Sequence, residues 1–178
     1  MKQLLDFMMH TNSELIEELF YVKNLKLRFF LNKLNILNDF NQLDRLISTF
    51  SPRTMWHRGS SRIVIPINNK KVLKIAYNET GIIQNLNETH INKHLPTYYK
   101  RFIAKILEVG KSYKWVIQER VDIIERNSDF IFKQKKLFQH LLELDAAEGD
   151  LDQIGMIGQR TVIYDYGLTQ SLYDSHYS

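Results

Sequence analysis

A chain of 178 residues, 44% hydrophobic and 25% charged, is long enough for one domain plus an appendage and apolar enough to bury a core, which excludes wholesale disorder. Its 24 Lys and Arg against 20 Asp and Glu leave +4, scattered along the chain with no basic run, so the charge carries no clear nucleic-acid signature. The absence of cysteine rules out disulfides, thiolate metal sites and a Cys nucleophile, and fits a reducing compartment.

Near the N-terminus Asp6 and Glu14 interrupt the apolar residues, so neither a signal peptide nor a membrane span is expected and the chain reads as soluble and intracellular. Residues 1–50 read as helix. Leu15, Leu19, Val22 and Phe29/Phe30 recur at helical spacing, as do Leu34, Leu37, Leu43 and Leu46/Ile47. Thr11 and Glu14 form a capping-box pattern, Asn38-Asp39 divides a long helix from a short one, and Ser51-Pro52 stops the second. This heavily apolar pair serves either as a brace on the rest of the chain or as the docking surface for a protein partner.

From Thr54 the periodicity changes to two. Ile63-Val64-Ile65-Pro66-Ile67 and Lys70 to Ala76 are strands joined by a two-residue Asn68-Asn69 turn. Gly81 opens a helix that ends at His94-Leu95-Pro96. Strands are predicted over Phe102–Leu107 and Tyr113–Gln118, turning at Gly110-Lys111-Ser112, with Glu119-Arg120-Val121 as an extended connector. Phe130 to Leu144 reads as helix and Gly149 to Gly155 as loop. Met156-Ile157 and Thr161–Tyr164 form a short hairpin that leads into Asp165-Tyr166-Gly167. The domain division is 1–52, helical, and 53–178, of α+β class.

Several residues carry possible chemistry, each with a bland counterpart. Lys74 lies inside an apolar strand, and Glu88 follows it by fourteen residues (88 − 74) on a helix that can cross behind the sheet. Taken alone, Glu88 reads as a solvated helix-surface residue and the hairpin as plain sheet. The six histidines show no HxH or HExxH spacing that would mark a His-based metal site. Trp56 and Trp115 read as packing residues.

Phosphoryl transfer needs positioning and charge neutralisation more than covalent chemistry. Val72-Leu73-Lys74-Ile75-Ala76, the helix with Glu88, and Asp165-Tyr166-Gly167 follow one another in an order that resembles the protein-kinase-like superfamily across residues 54–169. Lys74 to Asn85 and Thr161 to Thr169 also look similar to small kinase-like proteins of bacteriophages. The resemblance implies an antiparallel kinase N-lobe-like sheet with its C-helix and a truncated helical C-lobe. It implies ATP and Mg²⁺ as cofactors, with Lys74 and Asp150 catalytic. Gly59, Ser60, Lys74, Glu88 and Glu119 would bind the nucleotide, and Asp165, Gln153 and Asp152 the metal. It places such a protein in the cytoplasm of an infected host or in a virion.

The departures from the family pattern are equally specific. Gly59-Ser60-Ser61-Arg62 has one glycine where active kinases usually have two or three. No His-Arg-Asp is present; Gly149-Asp150-Leu151 is the nearest substitute, and Gln153 follows Asp150 by three residues (153 − 150) where related phosphotransferases place an Asn at five. The sequence continues only eleven residues past Gly167 (178 − 167). These departures favour a pseudokinase scaffold over an active phosphotransferase with a small or partner-presented substrate. A plain α+β binding domain is the third reading, distinguished by the lack of a Lys74–Glu88 pair.

Overall fold

The computed structural model describes residues 23–123 and 153–167, and the chain divides into two compact units after Pro52. The Thr11 capping box, the helix predicted over Phe130–Leu144, and Asp150 and Asp152 lie outside the described residues.

In the first unit residues 23–36 are helical (α1), residues 37–39 break the helix, and Leu43–Phe50 forms α2. The break falls at the predicted Asn38-Asp39. Asp39 caps the following turn of 3-10 helix, Phe40–Gln42, by accepting the Asn41 N–H at 2.8 Å. Phe30 stacks on Phe50 with ring centroids 4.5 Å apart, which fixes the two helices against each other. Ser51 ends α2 in an extended conformation while its N–H still reaches the Ile47 carbonyl at 2.9 Å, and Pro52 follows.

The second unit is built on a five-stranded antiparallel sheet: β1 His57–Arg58, β2 Arg62–Pro66, β3 Lys71–Ala76, β4 Ile106–Val109 and β5 Trp115–Glu119, in the order β1-β2-β3-β5-β4. Between β3 and β4 runs α3, Glu79–His94. It starts two residues earlier than predicted because Asn78, not Gly81, is the cap: its side-chain oxygen accepts the Gly81 N–H at 2.9 Å. A second, three-stranded sheet contains β6 Asp122–Ile123, β7 Ile154–Ile157 and β8 Arg160–Ile163, in the order β6-β7-β8. Gly158, at φ 61°, turns the β7–β8 hairpin in the left-handed region.

Further local expectations differ from the structure: Ile154 and Gly155, read as loop, belong to β7, and Tyr113, read as strand, closes a 3-10 turn before β5. The β2–β3 turn is one residue longer than Asn68-Asn69 alone. The Ile67 N–H meets the Lys71 carbonyl at 2.9 Å, and Asn68 accepts the Lys70 N–H at 2.8 Å, so Asn68, Asn69 and Lys70 all belong to the loop. The fourth strand begins at Ile106, not Phe102. Tyr99–Phe102 coils into a turn of 3-10 helix, with Tyr99 and Phe102 packed on the cluster of Leu95, Ile103, Ile154, Ile163 and Tyr166. Packing outweighs strand propensity there. The connector after β5 continues into β6, which pairs with β7. None of the described helices is long and apolar enough to cross a membrane.

Candidate functional site

Side chains on β2 and β3 alternate between two environments. Ile63, Ile65, Leu73 and Ile75 are buried on one face. On the other, cross-strand pairing sets Arg62 opposite Ala76, Val64 opposite Lys74 and Pro66 opposite Val72. This second face forms one wall of a cleft of about 660 Å³, completed by Gly59, Ser60, the Gln118–Ile123 segment, Gln153, Tyr164 and Asp165.

At the inner end of the cleft four charged side chains meet. Lys74 Nζ donates to Glu88 Oε1 at 2.9 Å and to the Tyr164 carbonyl at 2.7 Å, and stands 3.9 Å from Asp165 Oδ1. Arg62 Nη1 lies 3.0 Å from the same Glu88 oxygen and donates to Asn85 Oδ1 at 3.2 Å, while Arg62 Nη2 donates to Asp165 Oδ1. Exposure falls from 35% at Asp165 to 5% at Arg62, 4% at Lys74 and 0% at Glu88. Asp165 is therefore the most exposed member of the cluster, and Arg62 and Lys74 line the cleft beside it.

Burial disfavours charge on every member of the cluster, and the partners decide the net result. Burial pushes the Glu88 carboxyl upward despite the opposing pull of Arg62 and Lys74. It also draws the Lys74 amine downward; Glu88 resists that change and Arg62 reinforces it. At Asp165 burial acts upward, but Arg62 and then Lys74 overcome it and hold the carboxyl well below the usual carboxylate range. Arg62, opposed by burial and supported by Glu88 and Asp165, is held still more firmly in its charged form.

The surrounding elements fix this geometry. The Tyr166 hydroxyl donates to the Ala104 carbonyl at 2.8 Å, and its ring is buried beside Ile103 and Ile163, which anchors the segment carrying Asp165. Gly167 lies so close to α3 that a Cβ there would meet the Gln84 carbonyl oxygen at 2.4 Å. Ser61 Oγ donates to Gln84 Oε1 at 2.5 Å, and the Tyr77 N–H reaches the Ser61 carbonyl at 3.1 Å. The Tyr77 hydroxyl donates to the Gly59 carbonyl at 2.7 Å, so the Gly59-Ser60-Ser61 turn is tied to the corner between β3 and α3.

The sequence-predicted residues divide clearly. Lys74, Glu88 and Asp165 come together; Gly59, Ser60, Glu119 and Gln153 line the cleft. Glu119 is occupied by the Arg160 guanidinium at 2.8 Å and by the Lys105 N–H at 3.0 Å. Arg62, which sequence reasoning left as part of a turn, is a full member of the cluster. Its only signal was a charged residue at the head of the apolar run Ile63-Val64-Ile65.

The described residues do not fit a magnesium ion. Asp165 Oδ1 is already held by a guanidinium, and no group of three His, Cys, Asp or Glu side chains among the described residues could hold a metal. No family model, curated protein or solved structure matches the chain.

Proposed function

We propose that this chain is a kinase-like pseudoenzyme, a protein-interaction scaffold that retains the arrangement of a phosphotransferase cleft without its chemistry. The kinase-like part of this reading is supported by the strand order β1-β2-β3-β5-β4 and by the Lys74–Glu88 pair, with a hairpin delivering Asp165 beside it. The observation that carries the loss of chemistry is Arg62, which bridges Glu88 Oε1 and Asp165 Oδ1 and so competes for them with a cation brought in by a nucleotide. In this reading residues 1–50 supply the docking face for a protein partner, in the cytoplasm of an infected host or in a virion.

Turnover tests the reading. Purified protein incubated with magnesium and γ-labelled ATP is expected to release no phosphate, and to transfer none to itself or to small hydroxyl acceptors, above a protein-free control. Label transfer by the wild type that disappears in Asp165→Asn would overturn the assignment and restore the phosphotransferase reading.

A further inference from the structure

We propose that Arg62 is the resident cation of the cleft and sets its ligand class: the cleft takes ligands that arrive without a divalent metal. This inference concerns four side chains and does not rest on the kinase-like reading. A planar guanidinium can span two carboxylates with fixed geometry, which an ammonium cannot. Here the fork reaches from β2 to Glu88 on α3 and to Asp165 beyond β8, and Asn85 takes a further N–H. One side chain thereby joins three elements in the manner of a bridging metal.

The backbone beneath Arg62 is held in place. Its carbonyl accepts the Gly59 N–H at 2.9 Å, and it pairs across the sheet with Ala76. The preceding Ser61 is tied through both its carbonyl and its hydroxyl, to Tyr77 and Gln84. Withdrawal of the guanidinium would thus have to come from the side chain alone. It would leave the Glu88 and Asp165 carboxyl groups with Lys74 as the one remaining basic side chain against them among the described residues. While Arg62 stays in place, a divalent ion has to compete with its guanidinium for Glu88 Oε1 and Asp165 Oδ1.

Mn²⁺ alone, followed by the loss of the free-ion electron paramagnetic resonance signal, is the direct probe. The wild type is expected to show no saturable Mn²⁺ binding at millimolar concentration. Arg62→Gln is expected to acquire a site roughly tenfold or more tighter than any wild-type binding, and Asp165→Asn in that background to abolish it. Where Arg62→Gln does not fold, Arg62→Met, which keeps the length and packing of the stem, takes its place. Saturable binding by the wild type that Asp165→Asn removes would overturn the proposal, as would a folded Arg62 variant that binds no Mn²⁺. Wild-type Mn²⁺ binding would also remove the observation offered for the loss of chemistry, whereas label transfer by a wild type that binds no Mn²⁺ would overturn the proposed function alone.

Discussion

Glu88 shows most clearly what a buried charge costs and what its partners return. It accepts from Lys74 and Arg62 through one oxygen, while Oε2 has no hydrogen-bond partner among the described residues. Burial pushes its carboxyl upward, and the two cations pull against that change. Removing it leaves them buried with Asp165 as their sole counter-charge. Glu88→Ala is therefore expected to lower stability by about 3–5 kcal/mol, the range seen when one member of a buried pair is deleted, as read by urea unfolding at neutral pH. Asp165 gives the pH dependence. Its carboxyl is held below its ordinary value of about 3.9, so its contribution is present above that pH and is lost as pH falls toward the depressed folded value. The stability difference between wild type and Asp165→Asn is expected to be full at pH 7 and to shrink on acidification below about pH 4. A difference that grows in acid would contradict the ion pairing.

Individual elements hold the cluster in register, and two of them expose it to simple tests. The segment after β8 approaches α3 at Gly167, where an added Cβ would meet the Gln84 carbonyl at 2.4 Å and Glu88 Cγ at 2.8 Å. Helix backbone cannot yield as a side-chain tip can. Gly167→Ala is expected to cost about 1–3 kcal/mol, as overpacking does, and to displace Asp165 from Arg62. At the N-terminus of α3, Asn78→Ala removes the cap on Gly81 and is expected to cost about 1 kcal/mol without disturbing the cluster; thermal unfolding of the two variants separates these effects.

The same elements show what could be read from the residues. Lys74 and Glu88 were legible together because their spacing, fourteen residues from a strand to a helix that can cross behind the sheet, fits the kinase-like order, although Glu88 alone reads as a solvated surface residue. Arg62 was not legible, because its place depends on the β2–β3 turn. A two-residue Asn68-Asn69 loop pairs positions that sum to 137, which sets Arg62 opposite Ile75. The observed three-residue loop pairs positions that sum to 138, so that Val64 faces Lys74 and Arg62 shares that face. The α+β class was legible from the change in hydrophobic period. The start of β4 was hidden, since packing of Tyr99 and Phe102 on a cluster drawn from distant segments coils residues that alternation alone assigns to a strand.

At the scale of the second unit, the cleft combines an apolar wall with an inner end whose charges are already matched. In the reading proposed above, these ion pairs decide which ligands enter. A ligand that binds only the folded chain raises its melting temperature by mass action, by about 2.7 kcal/mol of stabilisation at a hundredfold excess over its dissociation constant. A thermal-unfolding titration of the wild type with ATP, with and without magnesium, is therefore the most direct test of the claim that Arg62 and Asp165 close this site to metal-bound nucleotide. The expected result is a melting temperature that magnesium-ATP leaves unmoved beyond the effect of either component alone. A magnesium-dependent rise that Asp165→Asn abolishes would contradict the account.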